Sequence, residues 1–534
     1  MKLRMRRYLI IFLAAVFTGA TCTKELDSNG SEKETDTVIV TPLQMPLVTE
    51  FHNPVEILSM PEGTLEKLVV KISGISDLSK VTGLRLWKSG GWMDAGYVAP
   101  DKNGVVRMTS FTSPSFSGNI DLNCWLTGVE IGSSVRFTVQ EAVVSGKRLT
   151  VVQENSQAHY PGIVVNTGGD KVCVRGDSTE VVAAFRIPAL VTSKAGTLIA
   201  AYDVRYKHSG DLQADVDVGV KRSTDGGKTW SPLALAMDMG KYGGLSDKEN
   251  GIGDPCLLVD DTTGDIYCFA VWTHGHYYDA DRRSLAYAGT GFDISDTPQF
   301  MMVRSSDDGI TWSAPINITR QIKEFDWRMT FQGPGRGITM SDGTLVIPIQ
   351  HQEGSERNMH GLYPLNSGIA YSTDHGLTWH AHNFAHTITS ESAVAEIAPG
   401  VLLLSMRDET DTHYRRNFIT TDLGRTWKEH SSNGTWEDAT CEASLLHVNA
   451  ADNILGQDIL LFSNPNNKAG RSMMSIQASL DGGTTMPYKL LVDAGGSWGY
   501  SCLTMVDEST VGILYESSKG NILFQAIPLE DIIR

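Results

Sequence analysis

Short apolar runs bounded by turn residues fill most of this chain. KLVVKISGI at 67–75, TLIAAYDV at 197–204, DIYCFAVW at 265–272, TLVIPIQ at 344–350, VLLLSMRD at 401–408, DILLFSN at 458–464 and TVGILYES at 510–517 have strand length and strand composition. No long run at helical spacing interrupts them, so the pattern predicts an all-β protein. From about Leu47 to Gln153 the runs alternate and are separated by Gly, Ser and Asp clusters, which predicts a small β-sandwich-like domain within 43–160. Residues 165–534 keep the β texture and also repeat a motif, which calls for a β-propeller before a second sandwich.

The repeat is STDGGKTW at 223–230, with near-copies SSDDGITW at 305–312, STDHGLTW at 372–379 and TTDLGRTW at 420–427, and a frayed one, SLDGGTTM, at 479–486. Asp followed closely by Gly suits a hairpin turn, because Gly tolerates positive φ. Ser, Thr and Asp side chains can fix that turn through nearby backbone groups. The closing Trp is an apolar anchor between sheets. Each copy therefore reads as one rigid hairpin per blade. Asp225, Asp307, Asp374, Asp422 and Asp481 are expected to be turn residues without a catalytic part. The unequal spacing of the copies implies loops of different length, as expected where one face carries a site.

Composition adds limits. The chain has 534 residues, 41% of them hydrophobic, ample for a large core. A formal net charge of −17 argues against nucleic acid as partner but leaves room for a locally basic pocket. Residues 1–22 carry Lys2, Arg4, Arg6 and Arg7, then the apolar core Tyr8 to Phe17 and small residues before Cys22. This is an export signal, too short to span a membrane. It resembles a bacterial lipoprotein signal, in which Cys22 would be lipidated; plain cleavage to a soluble periplasmic or secreted protein is the alternative. A membrane is expected to matter only through that lipid. Residues 23–42 are mostly polar and read as a tether. Cys256 and Cys268 flank the turn DDTTGD and could pair across a hairpin, with free buried thiols as the favoured reading. No CxxC or HxxxH spacing suggests a metal site, and no cofactor is expected.

Several stretches between the repeats do not repeat. Arg186 stands in the apolar strand VVAAFRIPAL, where a charge is costly without an anionic partner. Arg407 follows VLLLSM, and Arg471 ends the loop FSNPNNKAGR. Three arginines from three blades could converge on one carboxylate, which the planar guanidinium fork matches at any working pH. A surface salt bridge is the plainer reading for Arg471. Arg328, Arg336, Arg415 and Arg416 lack a motif and read as ion-pair residues.

Taken together, FRIP at 185–188, the repeats, ESAVAE at 391–396, FSNP at 462–465, WGYS at 498–501 and LYE at 514–516 resemble the bacterial exo-α-sialidases, whose repeat is the Asp box. The resemblance covers 165–534. It implies a six-bladed β-propeller that hydrolyses terminal α-linked sialic acid from glycoconjugates with retention. It implies an arginine triad of Arg186, Arg407 and Arg471 for the sialic acid carboxylate, with Tyr500 as nucleophile and Glu391 as its base. A neutral phenol suits a carbon that already bears a carboxylate, and a phenol of reference pKa about 10 needs a base beside it. Of Asp203, Asp211, Asp215 and Asp217, the acid is assigned to Asp211, with Asp215 next in line. Arg205 resembles an additional pocket arginine, with a solvated charge as the plain alternative. Glu516 resembles the glutamate that orients the first arginine, and Asp254 is placed at the pocket wall. Glu396 reads as structural. The implied partners are sialylated glycans, and a monomer is expected. Sialyl transfer, hydrolysis of a related nonulosonic acid and a non-catalytic sialic-acid-binding propeller are the alternatives. For the N-terminal domain, a carbohydrate-binding module and a mere spacer stay open.

Overall fold

The computed structural model describes residues 36–128, 130, 132–153, 156–175, 179–212, 215–246, 248, 250–274, 288–354 and 363–534. The stretch read as an export signal, Cys22 and most of the stretch read as tether lie outside the described residues. The end of that stretch is a correction. Thr37–Pro42 is a strand, because its alternation turns Val38 and Val40 inward.

The N-terminal domain is two facing sheets. One orders the strands Thr150–Gln153, Thr37–Pro42, Asn53–Ser59, Ile120–Leu126, Val81–Lys88 and Gly91–Trp92. The other orders Lys147–Arg148, Arg136–Val144, Gly63–Ser73 and Val105–Met108, with Ser115–Phe116 at its side. Leu58, Leu68, Val70, Leu86, Leu122 and Phe137 meet between them as a continuous apolar core. Leu47–Val48 then leaves the sandwich and pairs in parallel with Pro161–Gly162, so the domain is laced to the larger one.

Past residue 160 the strands form a ring of antiparallel groups, six among the described residues. Their innermost strands are Ala184–Thr192, Asn250–Val259, Met329–Gln332, Thr389–Ala398, Ser444–Val448 and Ser501–Asp507. Neighbouring inner strands touch in sequence, the third blade meeting Thr389–Ala398 through Ile338–Thr339 and Leu345–Gln352, and Ser501–Asp507 returns to Ala184–Thr192. The last group takes its outermost strand, Pro161–Thr167, from the start of the domain and pairs it with Asn521–Pro528 near the end. Both ends of the ring thus share one sheet, which closes the propeller.

The five Asp boxes build one and the same hairpin, between the third and fourth strands of the first five blades. In the first, Ser223 Oγ donates to Asp225 Oδ1 (2.8 Å), Gly227 N–H to Ser223 Oγ (2.8 Å), and Thr229 N–H and Oγ1–H to Asp225 (2.9 and 2.7 Å). The bonds recur around Asp307, Asp374, Asp422 and Asp481. The box glycine is where one blade meets the blade before it. At Gly227, with φ 90°, an added Cβ would stand 2.0 Å from Phe524 of the last blade, and at Gly376, with φ 75°, 2.7 Å from Tyr267 of the second. Met486, in place of Trp, still packs into the apolar contact of the fourth and fifth blades. Cys256 and Cys268 are free and buried. Cys268 stands opposite Leu257, so the two thiols sit in different apolar clusters on opposite faces of the sheet.

One buried charge in the sandwich gives a test. Both carboxyl oxygens of Glu56 are buried with no hydrogen-bond partner among the described residues, and burial pushes the acid from 4.5 up to about 8. A raised folded-state value means that the protonated form is favoured by folding. The stability it contributes is complete below about pH 4.5 and is lost as pH rises toward 8. Thermal unfolding of the full chain, followed at the N-terminal transition, is expected to weaken across that window by up to about 4 kcal/mol. Glu56→Gln is expected to flatten the slope, and an unchanged slope in the variant would refute the assignment.

Candidate active site

At one end of the channel the innermost strands are distorted. Ile187, Asp254, Gly335, Ile388, Thr440 and Gly499, one per blade, have φ of 60, 58, 103, 54, 55 and 90°. The ladders slip there, between Arg186 and Ala189, Gly253 and Cys256, and Thr389 and Ser392. Such bulges re-aim side chains that a regular pleat would turn away.

Arg186 is 4% exposed. Its Nε donates to Glu516 Oε1, which also accepts from Ile187 N–H (3.0 Å), while Glu516 Oε2 accepts from Tyr500 N–H (3.1 Å). One carboxylate thus ties the first blade to the last. The Arg186 guanidinium lies 4.4 Å from the ring centre of Trp498, itself half-exposed. Arg407 Nη1 donates to Glu391 Oε2 (2.7 Å), and its Nε lies 3.0 Å from Glu409. Arg471 is held by backbone carbonyls, those of Trp498 (3.0 Å) and Thr440 (3.1 Å), and no carboxylate pairs with it among the described residues. Its guanidinium is 5.7 Å from the Tyr500 ring centre, the same as that of Arg186.

Tyr500 is buried against Ile187 and Cys441. Its hydroxyl donates to Glu391 Oε1 in a short hydrogen bond. Burial, then the charge of Glu391, pushes the phenol well above its ordinary range, with Arg407 and Arg471 opposing. The resting tyrosine is therefore a neutral phenol hydrogen-bonded to the Glu391 carboxyl.

The acidic loop forms the other wall. Asp211 is 70% exposed at its side chain and lies 3.1 Å from Arg205 Nη1 and 3.9 Å from Arg186 Nη1. Asp203 takes both Nε and Nη2 of Arg205, and its other oxygen accepts from Asp254 N–H (2.8 Å). Burial, then the charge of Asp203, pushes the Asp254 carboxyl well above the carboxylate range, with Asp211 and Glu391 adding to it and Arg205 opposing. Six acidic groups and four arginines thus crowd together.

A family model described as a BNR repeat-like domain matches residues 196–513. A sialidase of Bacteroides fragilis (strain YCH46) is 40% identical over 93% of this chain and 96% of its own length. The chain belongs to the sialidase family. A sialidase of Micromonospora viridifaciens is 30% identical over 72% of this chain and 58% of its own. The solved structure named Hadza microbial sialidase Hz136 superposes with a TM-score of 0.81 at 40% identity, covering 92% of this chain and all of that one.

This sialidase brings together Arg186, Arg205, Asp211, Asp254, Glu391, Arg407, Arg471, Tyr500 and Glu516. Asp215 is elsewhere. It pairs with Arg175 Nη1 (2.8 Å), and Asp217, two residues on and so on the same face of the extended chain, pairs with the same guanidinium (2.7 Å). Arg205 is no solvated charge: its side chain is fully buried between Asp203 and Asp211. Arg415 and Arg416 pair with Asp438 and Asp408. Arg328 and Arg336 are bound by backbone carbonyls and make no ion pair among the described residues, unlike the ion-pair expectation for both. Glu396 accepts from Ser341 and Gly400 N–H, away from the floor. Trp498, Glu409 and the buried Glu442 were not foreseen. Trp498 was legible only as part of WGYS; the other two carry no local signal.

Removing one member of the Arg175 cluster separates scaffold from site. Asp215→Asn is expected to lower stability by about 2 kcal/mol, since a buried ion pair is broken. Sialidase turnover is expected to stay within a few-fold of the parent. Loss of turnover in a folded Asp215→Asn protein would return Asp215 to the list of acids.

Proposed function

We propose that this sialidase is a retaining exo-α-sialidase whose nucleophile is Tyr500. The observation that carries the reading is the chain from the Tyr500 hydroxyl to Glu391 and on to Arg407. A terminal sialic acid enters with its carboxylate toward Arg186, Arg407 and Arg471. Arg471 lacks a carboxylate of its own among the described residues, so it has a fork to offer.

The tyrosine attacks the anomeric carbon as its proton passes to Glu391, and the bond to the leaving oxygen breaks. No phenolate has to persist, which matters because burial disfavours it. Arg407 keeps its contact with Glu391 and offsets the charge that moves. Asp211 gives a proton to the leaving oxygen. Its side chain is the exposed acid of the site, 3.1 Å from Arg205, and a glycan seated over it would shed the water around it. Water then attacks the same carbon, Asp211 takes its proton, and Tyr500 leaves with the proton that Glu391 returns. Two inversions give net retention.

The N-terminal domain is read as holding the glycan. His52, Trp92, Tyr97 and Trp125 form a contiguous ring cluster with centroids 4.9 to 6.4 Å apart, Trp87 stands 5.0 Å from Trp92, and Arg85 lies over Trp92. Trp87 is 37% exposed. Aromatic faces edged by polar groups suit the apolar face of a sugar ring.

Two assays test these readings. Tyr500→Phe is expected to lose turnover of both a sialoside with a phenolic leaving group and sialyllactose. Asp211→Ala is expected to lose about 10²-fold or more on sialyllactose and clearly less on the phenolic sialoside, which needs little acid. Proton NMR of the first product formed should show the α-anomer. Undiminished turnover by Tyr500→Phe, or a β-anomer formed first, would sink the mechanism. Trp87→Ala is expected to weaken binding to desialylated glycan without changing turnover of the small sialoside; unchanged binding would favour a spacer.

A further inference from the structure

Three glutamates surround Tyr500, and one of them has no part in the chemistry above. The inference rests on Tyr500 being the nucleophile. Just before it, Gly499 turns the chain with φ 90°, where an added Cβ would stand 2.8 Å from Pro465 and 3.1 Å from Cys441. The chain then enters the strand Ser501–Asp507. One edge of that strand pairs with Thr510–Glu516. The other faces the neighbouring blade and the channel, where its N–H groups need side-chain acceptors. On that edge Ser501 N–H finds Glu442 Oε2 (2.9 Å) and Leu503 N–H finds Ser444 Oγ (3.0 Å), while Tyr500 N–H, on the paired edge, finds Glu516 Oε2 (3.1 Å). Glu442 and Ser444 come from the fifth blade, Glu516 from the sixth.

The peptide between Tyr500 and Ser501 is consequently held at both ends. Its carbonyl accepts from Glu516 N–H (3.0 Å), and its N–H donates to Glu442. Glu442 is 2% exposed. Its second oxygen, Oε1, has no hydrogen-bond partner among the described residues and lies toward Gly335, where an added Cβ would come within 3.5 Å of it. No ion pair reaches Glu442 among the described residues, and an unpaired buried carboxylate is costly. Burial pushes this acid well above the usual range, with Glu391 and Glu516 adding to the effect and Arg415 opposing it.

We propose that Glu442 is a positioning residue for the tyrosine: an uncharged carboxyl that clamps the Tyr500–Ser501 peptide from the fifth blade, opposite the Glu516 clamp. The clamp sets the height of the phenol above the pocket floor. Being uncharged, it adds no further negative charge beside the place where a substrate carboxylate must sit. An amide of the same shape would serve equally well.

Steady-state turnover of an α-sialoside is compared for the parent, Glu442→Gln and Glu442→Leu, with Tyr500→Phe in parallel and thermal unfolding as the check on folding. Glu442→Gln is expected to keep kcat within about twofold and to leave the pH profile in place. Glu442→Leu keeps the volume and removes the acceptor. It is expected to lose about tenfold or more in kcat at unchanged KM, the consequence of a displaced nucleophile. A Gln variant as impaired as the Leu variant would overturn the uncharged clamp. Parental kcat in the Leu variant, or a change in KM alone, would overturn the positioning role. If the Leu variant does not fold, the Gln variant and its pH profile decide. An active Tyr500→Phe protein would instead remove the nucleophile reading, whatever the Glu442 variants do.

Discussion

Glu516 is the contact on which the site and the ring both depend. It stands at the end of the strand Thr510–Glu516 in the last blade, and it accepts from Arg186 and Ile187 in the first. The same carboxylate accepts from Tyr500 N–H, and its own N–H holds the Tyr500 carbonyl. A buried arginine in an apolar strand is tolerable only with such a partner. Ile187, a β-branched residue at φ 60°, keeps that conformation because its N–H is caught there. Ring closure at the outer edge, by Pro161–Thr167 against Asn521–Pro528, is matched at the inner edge by this side chain together with Thr192 against Thr504 (3.0 Å).

The chain separates what repeats from what reacts. Every box Asp spends its carboxylate on its own hairpin, so none is available to a ligand. The hairpins lie between third and fourth strands, far along each blade from the channel. The reacting groups lie on first and second strands or in the loops beside them, where the backbone is bent and loops differ in length. A regular periphery therefore carries an irregular centre. Backbone N–H groups freed by the bends are taken up by carboxyls: Glu516 under Ile187 and Tyr500, Asp203 under Asp254, Glu442 under Ser501. Acidic residues accordingly serve twice on this floor, as backbone acceptors and as partners of arginine. In the proposed mechanism this matters, because each arginine already balanced by a carboxylate has less charge to lend a substrate than Arg471 has.

Much of this was readable in advance where the signal is local. Strand period, box turns and the Arg in FRIP are properties of a few consecutive residues, and those residues fold as their pattern says. Pairings across blades were not readable from spacing. Arg205 looked as much like a solvated charge as a pocket residue, because Asp203 and Asp211 become its partners only when the loop folds back. Asp215 looked like a rival acid until Arg175 drew it away. Thr37–Pro42 read as tether because six residues with two inward valines are weak evidence until a sheet stands beside them.

The sequence by itself determined the all-β class and the position of the box hairpins, since each follows from side-chain period or turn chemistry within a short window; the candidate site residues came from the motif resemblance instead. Only the tertiary structure decided which carboxyl serves which arginine, that Glu442 lies beneath the tyrosine, and which thiols face apart. Some of those contacts join different blades, as Arg186–Glu516 and Glu442–Ser501 do, and others, such as Arg407–Glu391, join strands of one blade; their geometry is set by ring closure and by backbone bends that no short window of sequence encodes.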